Sequence, residues 1–76
     1  MGAQVIDATG LRCPMPVLKA RRALEGMQPG EVLEIKATDP VAPLDMQHFC
    51  NEAGHTLVSS VEEDGIYTFC IRCRDD

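Results

Sequence analysis

The sequence contains no tryptophan and only three aromatic residues, Phe49, Tyr67 and Phe69. Few side chains are therefore available to stack on bases, and a net charge of −5 disfavours attraction to nucleic acid. We expect no direct nucleic-acid binding. The sequence also lacks an apolar run of about 18 residues and the basic and apolar segments of a secretory signal. We therefore expect no membrane association and a cytoplasmic location.

Four cysteines in 76 residues are too few for a disulfide scaffold, and a cytoplasmic location would keep them reduced. Cys70 and Cys73 have the spacing of some zinc ligands, but residues three apart on a strand point to opposite faces. Cys50 lies in an apolar helical stripe and is predicted to be a buried small side chain. Neither histidine stands at a regular spacing from a cysteine. We therefore predict no metal site.

Apolar periodicity predicts six elements in the order β-α-β-α-β-β. The strands are predicted at residues 4–8, 31–38, 55–62 and 66–74, and the first helix at residues 14–25. The pattern indicates a two-layer α/β sandwich of the α+β type, in which two helices cover one face of a four-stranded mixed sheet. At this length, residues 1–76 are expected to form a single domain.

Local signals place the ends of the later elements. Asp39 and Pro40 predict the start of the second helix, with Asp39 as the N-cap and Pro40 at the first helical position. Gly54 suits the left-handed position that ends a helix. Asp64 and Gly65 predict a tight hairpin between the last two strands.

Cys13 stands at the start of the first helix, in the segment Cys13-Pro14-Met15-Pro16. Pro14 is predicted at the first helical position, which puts Cys13 at or beside the N-cap. There the positive end of the helix dipole is expected to lower the thiol pKa, and Arg12 adds positive charge. The prolines fix the backbone and so hold the sulfur in one geometry. With no base and no resolving cysteine beside it, Cys13 suits a covalent carrier.

The exposed side of the first helix combines apolar and basic side chains. Four of the seven basic residues lie between Arg12 and Arg22, where no acid occurs. A helical wheel places Met15 and Leu18 on one outer face with Lys19 and Arg22. An apolar patch rimmed by charge is typical of a protein docking site. The alternatives are a solvated helix face, or packing of the apolar pair under a neighbouring loop.

The segment from Asp7 to Pro16 resembles the opening of the TusA/SirA-type sulfur carriers, whose hallmark is Cys-Pro-x-Pro at the start of the first helix. The similarity continues to the closing hairpin and covers nearly the whole chain. It implies that Cys13 carries a persulfide received from a cysteine desulfurase or a rhodanese-like donor. The sulfur would pass to a DsrE/TusBCD-like acceptor, for 2-thiouridine synthesis in tRNA or for dissimilatory sulfur oxidation. No cofactor is implied beyond the covalent persulfide.

The predicted function is a sulfur carrier rather than a free-standing turnover enzyme, with Cys13 as its only essential thiol. The residues predicted to position the thiol and to dock partners are Arg12, Pro14, Met15, Pro16, Leu18, Lys19 and Arg22. Two alternatives are a non-catalytic regulatory or interaction module, and a small thiol oxidoreductase that pairs Cys13 with Cys70 or Cys73. The oxidoreductase needs Cα atoms about 4.4–6.8 Å apart. Asp39 and Asp45 are interpreted as a cap and a surface acid, neither with a catalytic role.

Overall fold

The computed structural model describes residues 3–75, which form six elements in the predicted order. The elements are β1 (Ala3–Ala8), α1 (Met15–Glu25), β2 (Val32–Ala37), α2 (Ala42–Ala53), β3 (Thr56–Glu63) and β4 (Ile66–Arg72). In this part of the chain, neither helix has the length and apolar character needed to cross a membrane.

The strands form one mixed sheet in the order β1-β2-β4-β3. β1 and β2 are parallel, as their connection through α1 requires, and β4 runs antiparallel to both of its neighbours. Asp64 and Gly65 form the tight turn between β3 and β4. Both have positive φ, 54° and 80°, which is the backbone geometry of a type I′ hairpin. The predicted fold class and hairpin are therefore confirmed.

The core lies between one face of the sheet and both helices. The fully buried side chains of β2 and β4 come from alternate positions: Leu33, Ile35, Ala37, Phe69 and Ile71. α1 adds Ala20 and Leu24 to this core, and α2 adds Met46. Glu34 and Lys36 alternate with the buried residues of β2 and so face the other side of the sheet. Burial of each large aliphatic side chain contributes about 1.5–3 kcal/mol, which fixes the helices on the sheet.

The second helix begins later than predicted. α2 starts at Ala42 with Val41 as its N-cap, rather than at Pro40. The reason is a turn at Asp39, whose backbone carbonyl accepts the Ala42 N–H at 2.9 Å and whose carboxylate accepts the Val41 N–H at 3.0 Å. Gly54 ends the helix with φ of 83°, in the predicted left-handed conformation.

The cysteines other than Cys13 are dispersed through the fold. Cys50 is buried, as predicted. Cys70 lies opposite Glu34 on the uncovered face of the sheet, whereas Cys73 is buried on the helix side, with its Sγ 3.8 Å from the Leu24 carbonyl oxygen. All four cysteines are free, and no three His, Cys, Asp or Glu side chains among residues 3–75 cluster as a metal site would require.

Candidate functional site

The loops that follow β1 and β2 meet at one edge of the sheet. Because these strands are parallel, their carboxyl ends lie at the same edge. The Gly10 N–H donates to Thr38 Oγ1 at 2.9 Å, and the Cys13 N–H donates to Asp39 Oδ2 at 2.6 Å. The backbone of Cys13 is therefore held by the loop that precedes α2.

Asp39 ties the starts of the two helices together. One carboxylate oxygen accepts the Val41 N–H and the other accepts the Cys13 N–H. The hydrogen bond from Val41 lowers the pKa of Asp39 most, and the hydrogen bond from Cys13 has the next largest effect. The charge of Arg12 lowers the pKa further. Asp39 is therefore a structural link between the two loops, and the N-cap of α2 is Val41 rather than Asp39 as predicted.

The Asp39 link should make stability depend on pH. Because the folded-state pKa is depressed, its contribution is present above the ordinary value of 3.8 and is lost as the pH falls through the folded value. The wild-type free energy of unfolding in urea should therefore fall between about pH 5 and pH 3. Asp39→Asn should be less stable at pH 7 but should lose less over this range. Parallel pH curves for the two proteins would contradict the link.

The start of α1 offers the Cys13 sulfur few backbone donors. Met15 begins the helix and Pro14 is the N-cap, one residue later than predicted. The Met15 N–H donates to the Arg12 carbonyl at 2.8 Å, and neither Pro14 nor Pro16 has an N–H. Within residues 3–75, no N–H donates to Cys13 Sγ. The Cys13 sulfur is exposed. Because it lacks these donors, its thiolate form receives little of the stabilisation that a helix N-terminus can give.

A groove of about 440 Å³ lies between α1 and α2, with Cys13 in its wall. Its lining residues are Cys13, Pro14, Val17, Arg21, Asp45, Phe49, Glu52 and Ala53. Asp45, Phe49 and Glu52 are spaced four and three residues apart, which places them on one side of α2. The Arg21 guanidinium lies over the Phe49 ring at 5.9 Å from its centroid. The thiol therefore faces acidic side chains of α2 as well as the groove.

The pKa of the Cys13 thiol is raised, so the prediction of a lowered pKa is wrong. Hydrogen bonding to the Asp45 carboxylate is the largest cause, followed by partial desolvation and by the charges of Asp45 and Asp39. The basic residues do not offset this effect, because Arg12 acts on Asp39 and the outer face of α1 points away. Asp45 is thus more than a surface acid.

The outer face of α1 is open, as the docking interpretation requires. Met15 and Leu18 are 42% and 44% exposed, so neither is packed under a neighbouring loop. Lys19 and Arg22 are also exposed, and neither makes an ion pair within residues 3–75. These four residues line a second groove, which we call the α1 docking surface. Pro16 is buried, so it can position the thiol but cannot contact a partner.

Sequence reasoning missed the contribution of the second helix to the site. Val41 and Leu44 are exposed apolar residues at the start of α2, beside the loop that holds Cys13. The parallel β-α-β pattern could have indicated that Asp39 lies near Cys13, since both follow neighbouring strands. Asp45 lies four residues before Phe49 on the same side of α2, but no local signal in the sequence indicates that this side faces α1.

The structure overturns the oxidoreductase alternative. Cys73 contacts Leu24 in the last turn of α1, whereas Cys13 precedes the first turn. Ten residues of helix separate Pro14 from Leu24, which corresponds to about 15 Å. Cys70 lies on the uncovered face of the sheet. Neither cysteine can approach Cys13 to disulfide distance within this fold.

Comparison with known proteins identifies the family. Residues 4–73 match the sequence profile of a family described as Sulfurtransferase TusA. The chain belongs to the TusA family. Proteins named sulfur carrier protein TusA from Allochromatium vinosum and Pseudomonas aeruginosa are each 42% identical to it. The first alignment covers 91% of both chains, and the second covers 95% of this chain and 91% of the relative.

A solved structure supports the same membership. The crystal structure of a SirA-like protein from Desulfitobacterium hafniense has a TM-score of 0.81 to this TusA-family chain, at 27% sequence identity. The superposition covers 93% of this chain and 97% of the other. The predicted TusA/SirA resemblance is therefore confirmed in both sequence and fold.

Proposed function

We propose that this TusA-family sulfur carrier holds sulfane sulfur as a persulfide on Cys13. A cysteine desulfurase or a rhodanese-like protein supplies the sulfur, and a DsrE/TusBCD-like protein accepts it. The relay serves tRNA 2-thiouridine synthesis or dissimilatory sulfur oxidation in the cytoplasm. One observation carries this proposal: Cys13 is the only exposed thiol among residues 3–75, and it is held by its backbone in the wall of a groove.

The transfer chemistry needs no metal or external oxidant. The Cys13 thiolate attacks the outer sulfur of the donor persulfide and forms a new S–S bond. The donor S–S bond breaks, and its electron pair leaves with the donor as a thiolate. The transferred outer sulfur keeps its proton. Cys13 therefore becomes a persulfide without net oxidation.

Loading of the purified protein tests the proposal. Incubation with a cysteine desulfurase and cysteine should raise the intact mass by one or more sulfur atoms, and a reductant should reverse the increase. The regulatory alternative predicts no mass change and partner binding that survives Cys13→Ser. Addition of a DsrE/TusBCD-like protein should then deplete the mass increase, whereas an unrelated thiol protein at equal concentration should not.

The α1 docking surface should determine how fast a donor associates. Lys19→Glu combined with Arg22→Glu should slow sulfur transfer from the desulfurase about tenfold at low salt, because attraction to an acidic partner surface becomes repulsion. The remaining rate should also lose its salt dependence. Stopped-flow transfer rates at several ionic strengths would measure both effects.

A matched control exists on the uncovered face of the sheet. Lys36→Glu combined with Arg72→Glu makes the same change in net charge at exposed positions of β2 and β4, outside α1. This control should transfer sulfur at nearly the wild-type rate. Equal slowing in both double variants would show that net charge, and not the α1 docking surface, governs association.

A further inference from the structure

Asp45 and Cys13 face one another across the groove between the helices. Asp45 is half-buried in the first turn of α2, and Cys13 lies just before α1. Both line the same groove, and the Asp45 carboxylate is the group that acts most strongly on the thiol. The Cys13 sulfur therefore lies in a groove whose α2 wall carries a carboxylate.

No cation of the described chain neutralises this carboxylate. Arg21 lines the groove from α1, but its guanidinium lies over Phe49. Arg12 acts on Asp39, which also faces the thiol. Glu52 adds a further acid to the α2 side of the groove. The only ion pair within residues 3–75 joins other side chains, at the end of β4.

We infer that Asp45 restrains the sulfur of Cys13 in the free protein, and that a docked partner releases the restraint by placing a cationic group against this carboxylate. The inference rests on the proposed function, since it concerns the sulfur that Cys13 carries. Asp45 thus acts as a positioning residue, and the partner combines an acidic surface for α1 with a basic side chain beside its reactive cysteine.

The chemistry of sulfur delivery explains why the carboxylate matters. An acceptor thiolate attacks the outer sulfur of the Cys13 persulfide, and a new S–S bond forms. The S–S bond to Cys13 breaks, and its electron pair stays on Cys13 Sγ, while the outer sulfur keeps its proton. Negative charge thus develops on the atom that faces Asp45, which raises the barrier until a cation compensates. Small cellular thiols that lack such a cation should therefore remove the sulfur slowly.

The pH profile of Cys13 alkylation tests the restraint without any sulfur chemistry. Iodoacetamide is uncharged, and trypsin releases residues 13–19 as a peptide with Cys13 as its only cysteine. In Asp45→Asn the midpoint of the profile should move to lower pH. Thiolate nucleophilicity falls less steeply than the thiolate fraction rises, so the lower midpoint should raise the alkylation rate at pH 7 several-fold. For the same reason the plateau at high pH should be lower in the variant.

Two variants separate this role from a structural one. Asp45→Glu keeps the charge and should retain the wild-type profile, whereas Glu52→Gln removes a different groove acid and should change little. Each variant should fold, because an acid in the first turn stabilises a helix only modestly. Thermal unfolding of each variant would verify this. An Asp45→Asn midpoint equal to that of wild type, or an equal change of midpoint in Glu52→Gln, would overturn the inference.

Release of loaded sulfur tests the second half of the inference. Wild type, Asp45→Asn and Asp45→Lys would be loaded with inorganic polysulfide and then treated with 2-mercaptoethanol. The Asn variant should lose sulfur several-fold faster than wild type, and the Lys variant faster still. A Lys variant no faster than wild type would overturn the role of the partner cation.

The same experiments distinguish failure of the restraint from failure of the proposed function. If wild type loads no sulfur but the alkylation midpoint moves in Asp45→Asn, the carrier proposal fails and the restraint on the thiol stands. If wild type loads sulfur and Asp45→Asn changes neither midpoint nor release, the carrier proposal stands and the restraint fails.

Discussion

Replacement of Cys13 by serine should abolish sulfur loading entirely. The serine hydroxyl is nearly isosteric but forms no persulfide, so incubation with a desulfurase and cysteine should leave the intact mass of the variant unchanged. The fold should be unaffected, because Cys13 is exposed and its structural hydrogen bond comes from the backbone N–H. Mass spectrometry and thermal unfolding of the same sample would measure both properties.

The other cysteines provide matched controls for this experiment. Cys70→Ser alters a half-buried thiol on the uncovered face of the sheet and should load as wild type does. Cys50 is buried and its pKa is raised to about 11 by burial, so it should contribute no nucleophile at neutral pH. A Cys13→Ser protein that still gains reducible sulfur would refute the carrier assignment to Cys13.

Replacement of Phe69 by alanine should remove a large part of the free energy of unfolding. Phe69 is fully buried in β4, pairs with Ile35 of β2 and stacks on Tyr67 at 6.3 Å between ring centroids. Truncation of a buried phenylalanine costs about 3–5 kcal/mol, because contacts are lost and a cavity remains. A domain of 76 residues has a stability of about 4–11 kcal/mol. Urea unfolding followed by circular dichroism would measure the loss.

Ile66→Ala is the control for position on the strand. Ile66 is the first residue of β4, and its side chain is 40% exposed. Its truncation should cost well under half of the loss at Phe69. Similar destabilisation by both variants would indicate that the core does not centre on the buried face of β4.

The fold could be predicted because its determinants are local. Leu33, Ile35 and Ala37 alternate along the strand predicted at residues 31–38, and all three are buried. Asp64-Gly65 specified the hairpin through backbone conformation alone. Helix starts were less accurate. Asp39 was expected to cap a helix that began at the next residue, but it forms a separate turn first, in which it accepts the N–H groups of Val41 and Ala42.

The sequence predicted the part of the site that α1 and the preceding loop form, but not the acidic part that α2 contributes. The position of Cys13 and the exposure of the outer face of α1 follow from one contiguous segment and one helical wheel. The acidic half depends on how α2 packs beside α1, which no spacing in the sequence encodes. As a result, Arg12 was expected to lower the thiol pKa, whereas Asp45, 32 positions away, raises it. Charges close in sequence were thus outweighed by a charge close in space.

Peptide mapping of the loaded protein tests the central claim most directly. After incubation with a cysteine desulfurase and cysteine, persulfides would be trapped by alkylation and the protein digested with trypsin. We expect the added sulfur on the peptide of residues 13–19, with none on the peptide of residues 37–72, which contains Cys50 and Cys70, and none on Cys73. Sulfur found on these other peptides, with residues 13–19 unmodified, would contradict the assignment of the carrier thiol to Cys13.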